Sequence, residues 1–131
     1  IKALKDGTID VITTDHSPQD DEHKKVEFDN AKNGIIGLES AFGLLGKHLV
    51  PDLGLSQIIK NIAINPRNIL GINEATLVEG NIANITLFNP DLEWEFTKEE
   101  IKSKSDNTPF IGVKLKGKAL AIFNNGKFKK C

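Results

Sequence analysis

The spacing of apolar side chains predicts a helical first half of the chain. An apolar stripe at helical spacing runs over 37–50 and predicts an amphipathic helix with one buried face. The stripe consists of Leu38, Ala41, Phe42, Leu45 and Leu49. Gly43 and Gly46 lower helix propensity, so their presence predicts close packing against a neighbouring element. We expect Pro51 to end this helix and Asn65 to cap the last of the helices that follow. Those further helices are predicted over 55–64 and 66–70.

Strand-like patterns precede and follow the helices. Short runs that are rich in β-branched residues or alternate between apolar and polar residues are predicted as strands. They lie at 9–14, 83–88, 113–116, 119–123 and 127–129. Asn125-Gly126 is a strong signal for a type I′ hairpin turn. A short helix is predicted over 97–104, with Thr97 and Glu100 as its capping box.

Element order and composition together indicate an α/β protein. A strand and helices fill 1–75, and a small antiparallel β-unit with the short helix fills 76–131. The 131 residues are 39% apolar and 27% charged, as is typical of a globular domain. Methionine is absent, and the chain opens at Ile1 in a helix-like segment that Gly7 is expected to stop. We therefore expect a larger protein to contain this chain.

Charge and hydropathy argue against two classes of partner. The formal charge of −1 disfavours a nucleic-acid binder that relies on bulk charge. No apolar run reaches the roughly 18 residues of a membrane span, so no membrane partner is expected. The single cysteine, Cys131, fits a reducing cytoplasmic setting. The lysines of the β-unit are interpreted as solvated strand edges, with an anionic-ligand patch as the alternative.

The strongest candidate for chemistry directly follows the first predicted strand. Segment 14–18 reads Thr-Asp-His-Ser-Pro. Ligands and catalytic groups gather at the carboxyl ends of parallel strands in α/β folds. A carboxylate such as Asp15 could there bind a divalent metal and transfer protons. The alternative is that Asp15 and Ser17 simply form a turn ahead of Pro18.

The histidines do not complete a metal site. His16 lies beside Asp15 in a polar loop and is interpreted as a supporting or solvated group, while His23 and His48 are interpreted as solvated. Their spacing matches no metal motif such as HExxH. The chain is therefore expected to lack the ligands for a complete metal site.

A series of motifs along nearly the whole chain resembles the C-terminal third of dihydroorotase, a family of the amidohydrolase superfamily. The most discriminating segment is the last, in which Asn-Thr-Pro-Phe is followed by a spaced glycine and leucine. The motifs are Asp6-Gly7-Thr8-Ile9-Asp10, Thr14-Asp15-His16-Ser17-Pro18, Gly34-Ile35-Ile36-Gly37-Leu38-Glu39, Asn65-Pro66-Arg67-Asn68-Ile69-Leu70-Gly71, Glu79-Gly80-Asn81-Ile82-Ala83-Asn84-Ile85 and Ser103-Lys104-Ser105-Asp106-Asn107-Thr108-Pro109-Phe110.

The resemblance implies a fold, a reaction and a set of site residues. The fold is the last strand and closing helices of a TIM-like (β/α)₈ barrel, with part of a small β-domain. The reaction is the reversible interconversion of carbamoyl aspartate and dihydroorotate in pyrimidine biosynthesis, usually with zinc. Asp15 matches the residue that contacts the metal and acts as general base and then acid. Gln19, Asn33 and Gly34 match substrate-binding positions. The remaining metal histidines belong to an N-terminal barrel portion outside this chain, so the chain alone is expected to be inactive.

Two departures from the family pattern leave alternatives open. Gln19 stands where a histidine usually helps to bind the substrate carboxylate, and a neutral amide makes weaker hydrogen bonds than a charged donor. Asn33 stands where an aromatic residue is common. The larger protein is therefore expected to be an active dihydroorotase, a non-catalytic homologue that serves as a structural partner, for instance of a transcarbamoylase, or an amidohydrolase of altered specificity such as allantoinase. A homo-oligomer is the alternative to a transcarbamoylase partner.

Overall fold

The computed structural model describes residues 1–73 and 76–131, and it contains helices and one antiparallel sheet. The helices are α1 (Lys2–Lys5), α2 (Asp21–Lys24), α3 (Leu38–His48), α4 (Val50–Leu53), α5 (Leu55–Ile59) and α6 (Asn65–Leu70). The strands are β1 (Ile85–Glu95), β2 (Lys114–Asn124) and β3 (Lys127–Lys130). The predicted boundary between 75 and 76 adjoins Glu74 and Ala75, which lie outside the described residues, so this division stays a prediction. No described helix is long and apolar enough to cross a bilayer.

Helix α3 packs directly on strand β2 through its two glycines. A Cβ at Gly43 would lie 2.8 Å from the Cβ of Leu115, and one at Gly46 would overlap the carbonyl oxygen of Lys116. The close packing predicted from these glycines is confirmed. The contact places α3, which follows the candidate site, directly on the sheet. The two halves of the chain therefore share a buried layer that contains Leu115 and Phe96.

Helix α3 ends at His48, close to Pro51 as predicted. Pro51 itself lies in the first turn of a new helix, α4, where the missing N–H has no intrahelical partner to lose. Gly54, whose φ of +79° suits glycine, separates α4 from α5. Helical structure then runs from α5 through a π-helical turn at Lys60–Ile64 into α6.

The prediction that Asn65 caps a separate helix is also wrong. Asn65 has helical dihedrals (φ −58°, ψ −43°), because the π-helical turn joins the segments on either side of it. Pro66 still occupies the first turn of α6, and Gly71 ends α6 in the left-handed conformation, as predicted.

The strand predicted over 9–14 does not form within the described residues. A strand needs a neighbouring strand for its backbone hydrogen bonds, and no described strand lies beside this segment. The segment is held by the helices instead. The backbone N–H of Ile12 donates to the carbonyl of Asn61 at 3.1 Å, and Asn61 Nδ2 donates to the carbonyl of Asp10 at 2.8 Å. Asn61 is only 1% exposed, so it anchors the segment that leads to Asp15 from inside the core.

Replacing Asn61 with alanine is expected to destabilise the protein by about 1–3 kcal/mol, because the substitution removes a buried amide that holds Asp10 and leaves the half-buried Gln57 Nε2 without its acceptor. Asn65 provides a matched control, since its half-buried side chain donates to the same Asp10 carbonyl at 2.8 Å. Water can replace that bond, so Asn65→Ala should cost less. Denaturant unfolding of both variants measures the difference, and equal losses would contradict the anchoring role of Asn61.

The sheet strands are longer than predicted. β1 continues through Asn89-Pro90, which was expected to end it, because an irregularity in the pairing with β2 lies between Asn89 and Glu93. A bulged edge strand tolerates proline because it needs no ladder N–H there. The two strands predicted at 113–116 and 119–123 are one strand, β2.

The turn signals of the β-unit have mixed outcomes. Asn125 and Gly126 join β2 to β3 with φ values of +50° and +70°, as the type I′ prediction requires. The helix predicted over 97–104 is only a 3₁₀ turn at Lys98–Glu100, and the Thr97 side chain makes no cap bond. The capping box alone was too weak, because no apolar stripe follows it.

The lysines of β3 fit the solvated-edge interpretation, whereas those of β2 lie on the central strand of the sheet. Lys116 pairs with Asp91 at 3.1 Å, and Lys118 pairs with Glu100 at 2.7 Å while lying 4.4 Å from the Trp94 ring centroid. All lysines of β3 are exposed.

Candidate active site

Asp15 is held in a strained backbone conformation at the start of a long loop. Its φ is +45°, in the left-handed region that non-glycine residues rarely adopt. Such strain costs about 1–3 kcal/mol and clusters at functional sites, where the surrounding structure enforces it. The side chain is exposed, and the backbone N–H contacts Thr13 Oγ1 at 3.4 Å.

His16 supports the site through the first turn of α3. Its Nδ1 accepts hydrogen bonds from the backbone N–H groups of Gly37 at 3.1 Å and Leu38 at 3.4 Å. These are N–H groups that the helix itself leaves unpaired. The Nδ1 atom must be unprotonated to accept them, so the ring acts as a cap that fixes the residue next to Asp15.

The two ends of the loop are paired with each other. His16 and Ile35 form an isolated parallel bridge, and the Ser17 N–H donates to the Ile35 carbonyl at 2.9 Å. Gly34 has φ of +111°, and a Cβ there would lie 2.5 Å from Ser17 Oγ. Only glycine therefore permits this close pairing.

The predicted substrate-binding residues lie on these paired segments. Gln19 is half-buried, and its backbone N–H donates to Asn107 Oδ1 at 3.2 Å. Gly34 accepts from Asn107 Nδ2 at 3.1 Å and from Lys24 Nζ at 3.1 Å. Asn33 is exposed beside Gly34. The structure thus links Gln19 and Gly34 through one shared neighbour, and Asp15 adjoins the same pairing.

The supporting residues from the second half were not identified as functional from the sequence. Ser105 Oγ donates to the Gln19 carbonyl, and Asn107 binds both loop ends. Glu39 Oε1 accepts from Ser103 Oγ at 2.6 Å and from the Ser103 N–H at 2.7 Å. These residues lie inside the motifs that resemble dihydroorotase. Their presence in those motifs is the one sequence signal that could have identified them.

Comparison with known proteins gives the chain a family relationship. No family model matches it. A dihydroorotase of Chlorobaculum tepidum is 46% identical over 129 residues, which cover 97% of this chain and 29% of that protein. A dihydroorotase of Elusimicrobium minutum is 44% identical over 98% of this chain and 30% of its own length.

This chain is homologous to part of dihydroorotase.

The relationship confirms the resemblance inferred from the sequence motifs. The chain spans about three tenths of the length of the dihydroorotases that it matches. Among solved structures, a D-hydantoinase (dihydropyrimidinase) from Thermus sp. superposes with a TM-score of 0.84 at 25% identity, over 97% of this chain and 29% of that one. A dihydropyrimidinase from Brevibacillus agri superposes with a TM-score of 0.85 at 24% identity, over 96% of this chain and 29% of that one, which shows the fold.

The described residues do not by themselves supply a set of ligands for the metal that the dihydroorotase relationship implies. The described residues contain no group of three or more histidine, cysteine, aspartate or glutamate side chains able to hold a metal. A catalytic zinc ordinarily needs about three protein ligands. The exposed carboxylate of Asp15 fits the chemistry of a single oxygen ligand.

Glu39 is held in its charged form by hydrogen bonds. Burial by itself raises the pKa of this carboxyl, but the bonds from the Ser103 side chain and from the backbone of Ser103 and Lys102 outweigh it and lower the pKa below 4.5. A lowered pKa in the folded state stabilises the protein above the unfolded-state pKa, and that contribution is lost as the pH falls through the folded-state value.

We expect Glu39→Gln to flatten the dependence of stability on pH on the acid side. The wild-type protein should lose stability below about pH 4.5, whereas the variant lacks this titration and should lose less. Unfolding midpoints between about pH 3 and pH 7 measure the effect. Glu93→Gln, on an exposed position of β1, is the matched control. Identical pH profiles for wild type and Glu39→Gln would contradict the role given to the Ser103 contact.

Proposed function

We propose that the protein containing this chain is a dihydroorotase-like cyclic amidohydrolase, and that this chain is its C-terminal part. The observation that carries the proposal is the strained Asp15, fixed next to paired segments that hold Gln19 and Gly34. The 46% identity to a dihydroorotase over nearly the whole chain supports the substrate class. Opening the ring requires water to attack a ring carbonyl carbon while the C–N bond breaks.

In this proposal Asp15 carries the proton. Its carboxylate accepts a proton from the attacking water and delivers it to the ring nitrogen as the C–N bond breaks; the reverse order closes the ring. A constrained backbone keeps the carboxylate oriented, so little reorganisation precedes the transfer. Zinc, when bound, supplies Lewis-acid polarisation of the reacting oxygen atoms, with Asp15 as one of its ligands.

The substrate contacts come from the loop ends. We assign the side-chain amide of Gln19 to a carboxylate of the substrate and the backbone at Asn33 and Gly34 to the amide ring. Gly34 can pair closely with Ser17 because it has no side chain, and this pairing fixes the position of the backbone at 33–34. Gln19 donates without a positive charge, so its hydrogen bond to a carboxylate is weaker than one from a charged histidine.

The rest of the protein is proposed to complete a (β/α)₈ barrel around this segment. An apolar concavity of about 610 Å³ lies beside Thr14, between residues 11–14 and the face of α3. Segment 9–14 has no strand partner within the described residues, and barrel strands to either side would supply one. The remaining zinc ligands would come from those strands, and the isolated 131-residue chain is expected to be inactive.

The function is tested on the full-length protein. We expect ring opening of dihydroorotate and closure of carbamoyl aspartate, with slower turnover of hydantoin and allantoin, and stoichiometric zinc. Stoichiometric zinc with preferred turnover of hydantoin or allantoin would show that one of these compounds, and not dihydroorotate, is the substrate. A metal-free protein without turnover of any of these compounds would contradict the proposal and favour a non-catalytic homologue that binds a partner such as a transcarbamoylase.

A further inference from the structure

We propose that Asn107 is a positioning residue for the substrate loop, a role that rests on the proposed function. Its side chain joins the two segments that carry Gln19 and Gly34, although it lies 88 and 73 residues from them along the chain. Asn107 does not reach the proposed reacting atoms itself. It acts by fixing the distance between two groups that contact the substrate.

Each polar atom of the Asn107 side chain is used. Oδ1 accepts from the Gln19 N–H at 3.2 Å and lies 2.6 Å from Ser105 Oγ, whose single hydroxyl proton is shared between this atom and the Gln19 carbonyl. Nδ2 donates to the carbonyls of Gly34 at 3.1 Å and Ser17 at 3.5 Å. The orientation of the amide is fixed by its partners, because the reverse orientation would set an NH₂ group against an N–H donor and an oxygen against two carbonyls.

The backbone continues the same attachment. The Asn107 carbonyl accepts from the Ile36 N–H at 3.1 Å, and Ser105 Oγ donates to the Gln19 carbonyl. The segment 105–107 therefore ties both ends of the 17–34 loop to the chain ahead of β2. Asp15 has separate anchors, because His16 is bound to the first turn of α3 and segment 10–12 is bound to Asn61.

Because Asp15 is anchored separately from the substrate loop, we expect KM and kcat to respond differently to loss of the Asn107 bridge. Loss of the Asn107 bridge should misplace the substrate contacts and raise KM, while Asp15 stays in place and kcat changes little. A purely structural role would instead reduce the amount of folded enzyme, which lowers the apparent kcat and leaves KM unchanged.

Asn107→Asp is the sharpest variant, because it keeps the shape and replaces the Nδ2 donor with an oxygen that faces two carbonyls. In the full-length protein we expect KM for dihydroorotate to rise about tenfold or more, since two half-buried hydrogen bonds to carbonyl groups are replaced by repulsion. Asn107→Ala removes the amide without adding repulsion and should raise KM less. Asn124→Asp, the same change on an exposed residue of β2, is the control and should leave KM unaltered.

A second readout does not depend on turnover. Hydrogen exchange at the Gln19 and Ile36 amides should accelerate in Asn107→Asp and not in Asn124→Asp. In an active wild-type background, an unchanged KM in Asn107→Asp, or a fall in kcat alone, would overturn this inference and leave the proposed function standing. A wild-type protein that neither binds nor turns over dihydroorotate would overturn the proposed function, and the positioning role with it.

Discussion

Gly46→Ala is expected to be among the most destabilising single-methyl additions in this chain. The added Cβ would overlap the Lys116 carbonyl oxygen, where helix α3 lies directly on strand β2. Neither backbone can yield without moving a whole element, so we expect a loss at or above the upper end of the usual overpacking range, about 3 kcal/mol. The thermal midpoint and soluble yield of the full-length protein measure it.

Gly71→Ala is the matched control for this substitution. Nothing lies within 4 Å of a Cβ at Gly71, so the cost there comes only from the φ of +65° and should be about 1–2 kcal/mol. Gly43→Ala should fall between the two, because the added Cβ would lie 2.8 Å from Leu115 Cβ, a close contact that is less severe than the overlap at Gly46. A Gly46→Ala protein as stable as Gly71→Ala would show that α3 and β2 are not in this contact.

Asp15→Asn is expected to lower kcat of the full-length enzyme by about a thousandfold or more, because an amide can neither accept the proton nor act as an anionic metal ligand. Asparagine is the appropriate replacement, since it tolerates the positive φ of this position almost as well as aspartate does. The unfolding midpoint should therefore stay close to that of the wild type.

Asp91→Asn controls for the loss of a charge elsewhere on the surface. Asp91 is exposed and pairs with Lys116 at 3.1 Å, and such surface pairs contribute at most about 1 kcal/mol. Its kcat should match the wild type. Activity retained in Asp15→Asn, with correct folding, would remove Asp15 from the mechanism.

The features that could be predicted from the sequence are those that depend on near neighbours. The Asn125-Gly126 turn follows from the conformational preferences of two residues, and the presence of α3 follows from an apolar stripe within one helix, although the residues that α3 fully buries are Ser40, Gly43 and Gly46. The end of α6 at Gly71 is equally local. The end of α3 near Pro51 is also local, because proline is excluded from a helix interior but compatible with the first turn of the next helix.

The features that could not be predicted depend on contacts that are distant in sequence. Segment 9–14 has strand-like composition, but its hydrogen bonds go to Asn61, about fifty residues away. The partners of Glu39 lie 63 and 64 residues further along the chain. Asp15 was selected from its motif, whereas its strained φ and the Asn107 bridge emerge only when the loop ends are brought together.

A crystal structure of the full-length protein grown with zinc, with anomalous scattering collected at the zinc edge, tests the central claim most directly. We expect a zinc ion about 2.0–2.2 Å from a carboxylate oxygen of Asp15, with its other protein ligands outside residues 1–131. Zinc bound elsewhere, with the Asp15 side chain directed into solvent, would contradict the account.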